Sequence, residues 1–290
     1  MISLDKSIRY KFDFSFDKQI FVDHYSLKRQ NHAVFPPDIH YALHFGILLD
    51  GCLEIVYTNS HKILHFGNIW FTGPWEAHTS RVISPEVEML VFTVSPEQLG
   101  NIGILNQIEW LLPFVAQNSL RPVINDDDGK MKILTLAKEV ITSIDEKDPS
   151  NQTFSWLKLH EILLYIINNN INIKEYDKLK VQKNSFKRIL PAIMLAKESS
   201  DKAITLDDAA KVCFLGKSRF HALFKTATGT TFNKFYTKIR ISNASIKLLK
   251  TDFSIKEIAE DCGFYDESHF CKIFRKIFHC SPKEFRKQHP

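Results

Sequence analysis

Ser254–Phe285 reads SIKEIAEDCGFYDESHFCKIFRKIFHCSPKEF. Phe270, Ile273 and Phe274 fall at i, i+3 and i+4, the spacing of a helix with one buried face. A shorter helical run precedes them, and Gly263 in the turn between suits a positive φ. Asp266 is placed to N-cap the second helix. Ile204–Phe235, ITLDDAAKVCFLGKSRFHALFKTATGTTFNKF, repeats the pattern. At an offset of 49, Leu206 matches Ile255, Ala210 matches Ala259 and Cys213 matches Cys262. After one extra residue in the second turn, Ser218 matches Ser268, Phe220 matches Phe270, Leu223 matches Ile273, Phe224 matches Phe274 and Phe235 matches Phe285. Two copies of one supersecondary unit are predicted. Each is a short helix, a turn and a longer helix, with small Ala210 or Ala259 allowing a close crossing. That is a helix-turn-helix, whose second helix enters a DNA major groove.

The outward faces are then predicted to meet DNA. Lys217, Ser218, Arg219, His221, Ala222 and Lys225 form the first face. Glu267, Ser268, His269, Cys271, Lys272 and Arg275 form the second. Residues in the N-terminal half of such helices reach base edges. Lys225, Arg275 and Lys276 suit phosphates, which set register rather than sequence. Charge agrees. Lys183–Pro290 holds 21 Lys and Arg against 11 Asp and Glu, a net of +10 inside a chain whose total is +5. The remainder is therefore acidic, which points to a polyanion partner for one domain only.

These motifs, with RISNASIKLLK (Arg240–Lys250), closely resemble the AraC/XylS family of bacterial transcription regulators. The resemblance covers about residues 190–290. It implies two helix-turn-helix units reading neighbouring major-groove segments, joined by a rigid helix that includes Arg240–Lys250. Three positions depart from the family pattern. Gly216 replaces a capping Ser, Phe214 replaces the turn Gly, and His279 replaces the Gly that ends the second recognition helix.

Upstream, the period changes. Tyr10, Phe12, Phe14 and Phe16 alternate with polar residues, the pattern of a strand with one buried face. Short strand-like runs punctuated by Gly51, Asn59, Gly67, Gly73 and Pro85 continue to about residue 95, which predicts a small barrel or sandwich. MKILTLAKEVITSI and FSWLKLHEILLYIINNN read as two helices. The polar stretch Asn172–Asn184 reads as part helix, part linker. The expected domains are residues 1–170, a linker at 171–188, and a DNA-binding domain at 189–290.

DIHYALHFGILLDG and LHFGNIWFTGPWEAH, within roughly residues 10–110, resemble the cupin barrel that such regulators carry as a sensor. The fold class expected is thus multidomain: an N-terminal cupin-like β-barrel with accessory helices, then an all-α domain with two helix-turn-helix units. Positions matching cupin metal ligands are Asp38, His40, His44 and His78, and imidazole donors suit a divalent metal such as Fe, Mn, Ni or Zn. The family's sensor cupins mostly bind organic effectors, so no cofactor is firmly expected. His40, His44, Trp75, Glu76 and His78 supply the handles for an effector. Trp70, Phe71 and Trp75 suggest a sugar, while Trp70 and Phe71 equally suit packing.

The expected partners are double-stranded DNA, a small-molecule effector, the transcription machinery and a second copy of the chain. No apolar run approaches the roughly 18 residues that span a bilayer. MISLDKSIRY lacks a signal-type core, so a cytoplasmic protein with reduced thiols is expected. No Cys pair has C-x-x-C spacing, which argues against structural zinc. No catalytic triad, phosphate loop or nucleotide fingerprint appears, and an enzyme is not expected. Two alternatives stay open: a metal-dependent cupin enzyme with a DNA-binding tail, and a constitutive DNA binder whose barrel only dimerises.

Overall fold

The structure is a computed structural model of the 290-residue chain. It describes residues 14, 18–29, 40–57, 60–100, 110–116, 118–143, 150–170, 173–199 and 204–288. Asp38, and the alternating run at 10–17 apart from Phe14, lie outside the described residues. Two compact units divide the chain near residue 180.

Among the described residues the first unit holds seven strands: β1 (Ile20–Lys28), β2 (Leu43–Asp50), β3 (Leu53–Tyr57), β4 (Ser60–Leu64), β5 (Ile69–Thr72), β6 (His78–Val82) and β7 (Glu86–Val94). They form two antiparallel sheets of order β1-β7-β2-β5 and β4-β3-β6. The period of two decides what each face meets. Leu43, Phe45, Ile47, Phe71, Leu90 and Phe92 share one core with Ile133, Leu136, Val140, Leu159, Ile162 and Leu163. Those last six residues belong to the helices that cover that face. The opposite face, with Leu48, Trp70, Val87, Met89 and Val91, shares a second core with Leu53, Ile55, Tyr57 and Leu64 of the three-stranded sheet. The sheets therefore face each other. Gly46 fits between them only as glycine, because a Cβ there would sit 2.0 Å from the Trp70 ring.

Among the described residues the strands do not close into one barrel. β5 ends at Thr72, the chain bends through Trp75 at φ 57, and β6 then pairs with β3 in the other sheet. β1 has a weak signature in the sequence, because IFVDHYSLK alternates only loosely. After β7 come α1 (Pro96–Gly100), α2 (Leu112–Val115), a 3-10 turn at Asn118–Leu120, α3 (Asp127–Ser143) and α4 (Asn151–Asn170). The two long helices match the expected positions, each extended by three or four residues at its start. Gln152 of α4 ties down the start of β1: its side chain accepts from the Gln19 and Ile20 amides and donates to the Ile20 carbonyl.

Next, α5 runs unbroken from Ile173 to Glu198, with Pro191 inside it. The part-linker expected at 172–184 is therefore helical from Ile173 onward. The stretch lacks apolar periodicity, but its Lys, Glu and Leu are strong helix formers.

In the second unit, α6 (Leu206–Val212) and α7 (Lys217–Thr228) form one helix pair. After α8 (Phe232–Lys250), α9 (Ile255–Asp261) and α10 (Glu267–Phe278) form another, and α11 (Pro282–Gln288) follows. Thr205 and Ser254 start the two short helices with matching capping boxes, an arrangement that satisfies two orphan amides each. Phe220, Phe224, Phe232 and Phe235 pack edge to face in the first half. Phe270, Phe274, Phe278 and Phe285 form the matching ring cluster in the second. Leu223 and Ile273, expected in these cores, are half-buried, and Ala227 and Phe278 are buried one turn later instead.

Candidate nucleic-acid interface and effector site

The solvent-facing sides of α7 and α10 carry the predicted DNA residues. Lys217, Ser218, Arg219, His221, Ala222 and Lys225 are all exposed. So are Glu267, Ser268, His269, Lys272, Arg275 and Lys276. Cys271 is half-buried, and burial followed by the nearby Glu267 charge pushes its thiol up, which disfavours the reactive thiolate. Cys262 is buried, its thiol raised to about 11 by burial, as a core position requires. Its repeat partner Cys213 is half-buried rather than core.

Asp266 caps α10, accepting from the His269 amide at 2.6 Å. Gly216 starts α7 without a side-chain cap. Near that start, Lys217 shares Asp207 with Lys211, at 3.5 and 2.9 Å. Both turns display an aromatic that hydropathy alone would place inside: Phe214 and Tyr265 are each 96% exposed. α8 is joined to α9–α10 by Arg240, which lies over the Phe264 ring at 4.1 Å and donates to the Cys262 carbonyl at 2.6 Å.

The effector candidates gather at one end of the space between the two sheets. The His44 and His78 rings meet edge to face at 5.4 Å, and Tyr41 lies 6.0 Å from Trp75. Ligand atoms of His40, His44 and His78 lie within 4.8 Å of one another, a spread that a divalent ion would need to tighten. Glu76 pairs with Arg121 at 2.6 Å and also accepts from the Gly73 amide. Trp70 and Phe71 are core residues, one in each hydrophobic cluster, which accords with packing, and Trp75 is buried outside both clusters.

Three members of this region escape a reading of the sequence for motifs. Arg121 is buried and donates to the carbonyls of Phe71, Phe114 and Ala116. Tyr57 donates to the Phe71 carbonyl, and burial raises its phenol to about 12. Lys62 sits on β4 with the parity of buried Leu64, a signal that is legible in HKIL. Arg121 and Tyr57 carry no such signal, because their roles depend on distant carbonyls.

Residues 209–288 match the helix-turn-helix domain family. The transcriptional activator NphR of Rhodococcus sp is 39% identical over 89 residues, covering 31% of this chain and 26% of that protein. The transcriptional activator RhaS of Mannheimia succiniciproducens is 27% identical over 188 residues, covering 64% of this chain and 66% of that protein. The chain spans about a third of the length of most curated relatives it matches. A crystal structure of ToxT from Vibrio cholerae with bound unsaturated fatty acid superposes with a TM-score of 0.58 over 92% of this chain and 95% of that one. At 15% identity, that likeness is one of fold. The repeated helix pairs, their spacing and these matches together identify residues 209–288 as a helix-turn-helix domain, similar in sequence to those of AraC-type transcription regulators.

Proposed function

We propose that this chain is a sequence-specific DNA-binding transcription regulator controlled by a small molecule held in its N-terminal unit. The observation that carries the reading is the repetition of one exposed polar face on α7 and α10, each backed by a phenylalanine core. Both pairs act as helix-turn-helix units and read adjacent major-groove segments. Lys217, Ser218, Arg219, His221 and Ala222 on one helix, and Glu267, Ser268, His269, Cys271 and Lys272 on the other, face base edges. Lys225 and Arg275 face phosphates.

The N-terminal unit acts as a cupin-like sensor, with residues 1–170 as sensor and dimer module, 171–188 as connection and 189–290 on DNA. Met131, Leu157 and Leu164 leave apolar surface exposed on α3 and α4, which suits a seam with a second copy. An effector controls such a protein only by binding its DNA-competent arrangement with a different affinity from the other.

Selection of sites from random duplexes, followed by anisotropy titration, tests the DNA reading. Arg219→Ala and Lys272→Ala are expected to weaken the selected site by roughly 1–3 kcal/mol each while sparing random DNA. An equal loss on random DNA demotes that residue to a phosphate contact, and no preference for any duplex refutes the reading. The three imidazoles support a second use of the sensor, as a holder of a divalent transition metal on His40, His44 and His78. That use predicts metal that co-purifies with the chain and is lost on His78→Ala.

A further inference from the structure

We propose that Lys62 is the ion-pairing residue of a binding site for a small organic carboxylate between the two sheets of the N-terminal unit. The proposal rests on effector control and names the effector's chemical class.

Strand register places the groups. Lys62 is paired with Ile55, whose side chain lies in the inter-sheet core, so Lys62 points inward. The same face of that sheet is graded along its length. Leu53, Leu64 and Val82 are in register at one end, and Tyr57, Ser60 and His78 at the other. The facing sheet is graded likewise, with Leu48, Trp70 and Met89 apolar, while His44 is paired with Thr72 and Thr93. The His44–His78 contact brings the two polar ends together. The result is a polar end beside an apolar wall, the layout that suits an acid with an apolar body.

Charge selects the headgroup. Arg121 commits donors to three carbonyls and to Glu76, and the Glu76 carboxylate neutralises it. Among the described residues, Lys62 has no carboxylate within ion-pair distance. Glu76 lies within electrostatic reach of Lys62 but is held by Arg121, which leaves the half-buried ammonium without a direct ion-pair partner among the described residues. Burial, and then the Arg121 guanidinium, push its pKa below the usual lysine range. One monoanion pairs with Lys62, and the Ser60 and Thr72 hydroxyls supply neutral donors on the facing surfaces, while Tyr57 already spends its proton on the Phe71 carbonyl. A dianionic phosphate would leave an excess negative charge in a partly dry site.

Calorimetry and thermal shift on the full chain test this with octanoate and benzoate, their neutral amides, and inorganic phosphate. At least one acid is expected to stabilise the wild type, with its amide about tenfold weaker or worse, as for loss of a charge-assisted bond. Lys62→Met is expected to lose the acid response, and Lys62→Arg to keep part of it. Binding should also weaken as pH rises through the lowered Lys62 pKa. Equal response to acid and amide, a phosphate response as strong as the acid's, an unchanged Lys62→Met, or no response to either acid overturns the assignment. DNA binding is measured in parallel. A neutral ligand that shifts DNA affinity keeps effector control while refuting the carboxylate, whereas absent DNA binding refutes the regulator reading itself.

Discussion

Phe214 holds the left-handed region at φ 54, where its repeat equivalent, Gly263, sits at φ 70. A side chain there costs roughly 1–2 kcal/mol, and 96% exposure means little packing offsets it. Phe214→Gly is therefore expected to stabilise the chain by about 0.5–1 kcal/mol, after glycine's own entropy cost, in urea unfolding. An unchanged or lower midpoint would show that Phe214 packs in solution. His279 ends α10 at φ 59, where Gly229 ends α7 at φ 71, so two left-handed positions in this domain lack the residue that adopts them freely. The caps differ in the opposite direction. Asp266→Ala is expected to cost about 1 kcal/mol, while Gly216→Ser gains only a few tenths, both read by the same unfolding assay.

Elements are held by a few side chains that reach across them. Gly46 lies on β2 against the Trp70 ring, so Gly46→Ala must move the ring or the strand. The expected cost is about 1–3 kcal/mol, measured as a drop in unfolding midpoint of the first unit. Arg240 joins α8 to the second helix pair through one carbonyl and one aromatic face. Arg286 acts similarly, donating to the Leu248 and Phe253 carbonyls. Arg240→Met keeps bulk but loses the charge-assisted bond, with an expected cost of about 1.5–3 kcal/mol and a parallel loss in DNA affinity as α10 shifts. A variant that lost stability yet bound DNA at full affinity would show that the two helix pairs do not depend on this tie.

At the scale of the whole molecule, pH acts through buried histidine. His160 packs 4.6 Å from Trp110 and 5.1 Å from Trp156, and burial lowers its pKa below the ordinary 6.5. The unfolded chain therefore takes up the proton first as pH falls. Its contribution to stability is complete above about 6.5 and is lost progressively below it, toward the lowered native value. Urea midpoints measured between about pH 7 and 5 should fall, and His160→Gln should flatten that slope. An equal slope in the variant would assign the acid sensitivity to other groups. The charge split between the halves, basic after Lys183 and acidic before it, further predicts DNA binding that weakens steeply with salt.

The C-terminal helices are legible in the sequence because their signals are local. A buried stripe and the capping box of the short helix recur twice at almost the same spacing, and helical hydrogen bonds close within four residues. The exposed faces of α7 and α10 follow from that period alone. The strand runs from β2 onward and the two long helices after them are legible on the same grounds, whereas β1 is not. Which sheet each strand joins is not, since antiparallel pairing depends on partners far along the chain, such as β1 with β7. The turn away at Trp75, and with it the split into two sheets, was decided by tertiary structure. So was the polar end around Lys62, Tyr57 and Arg121, whose members come from separate loops and strands and meet only when the sheets face each other.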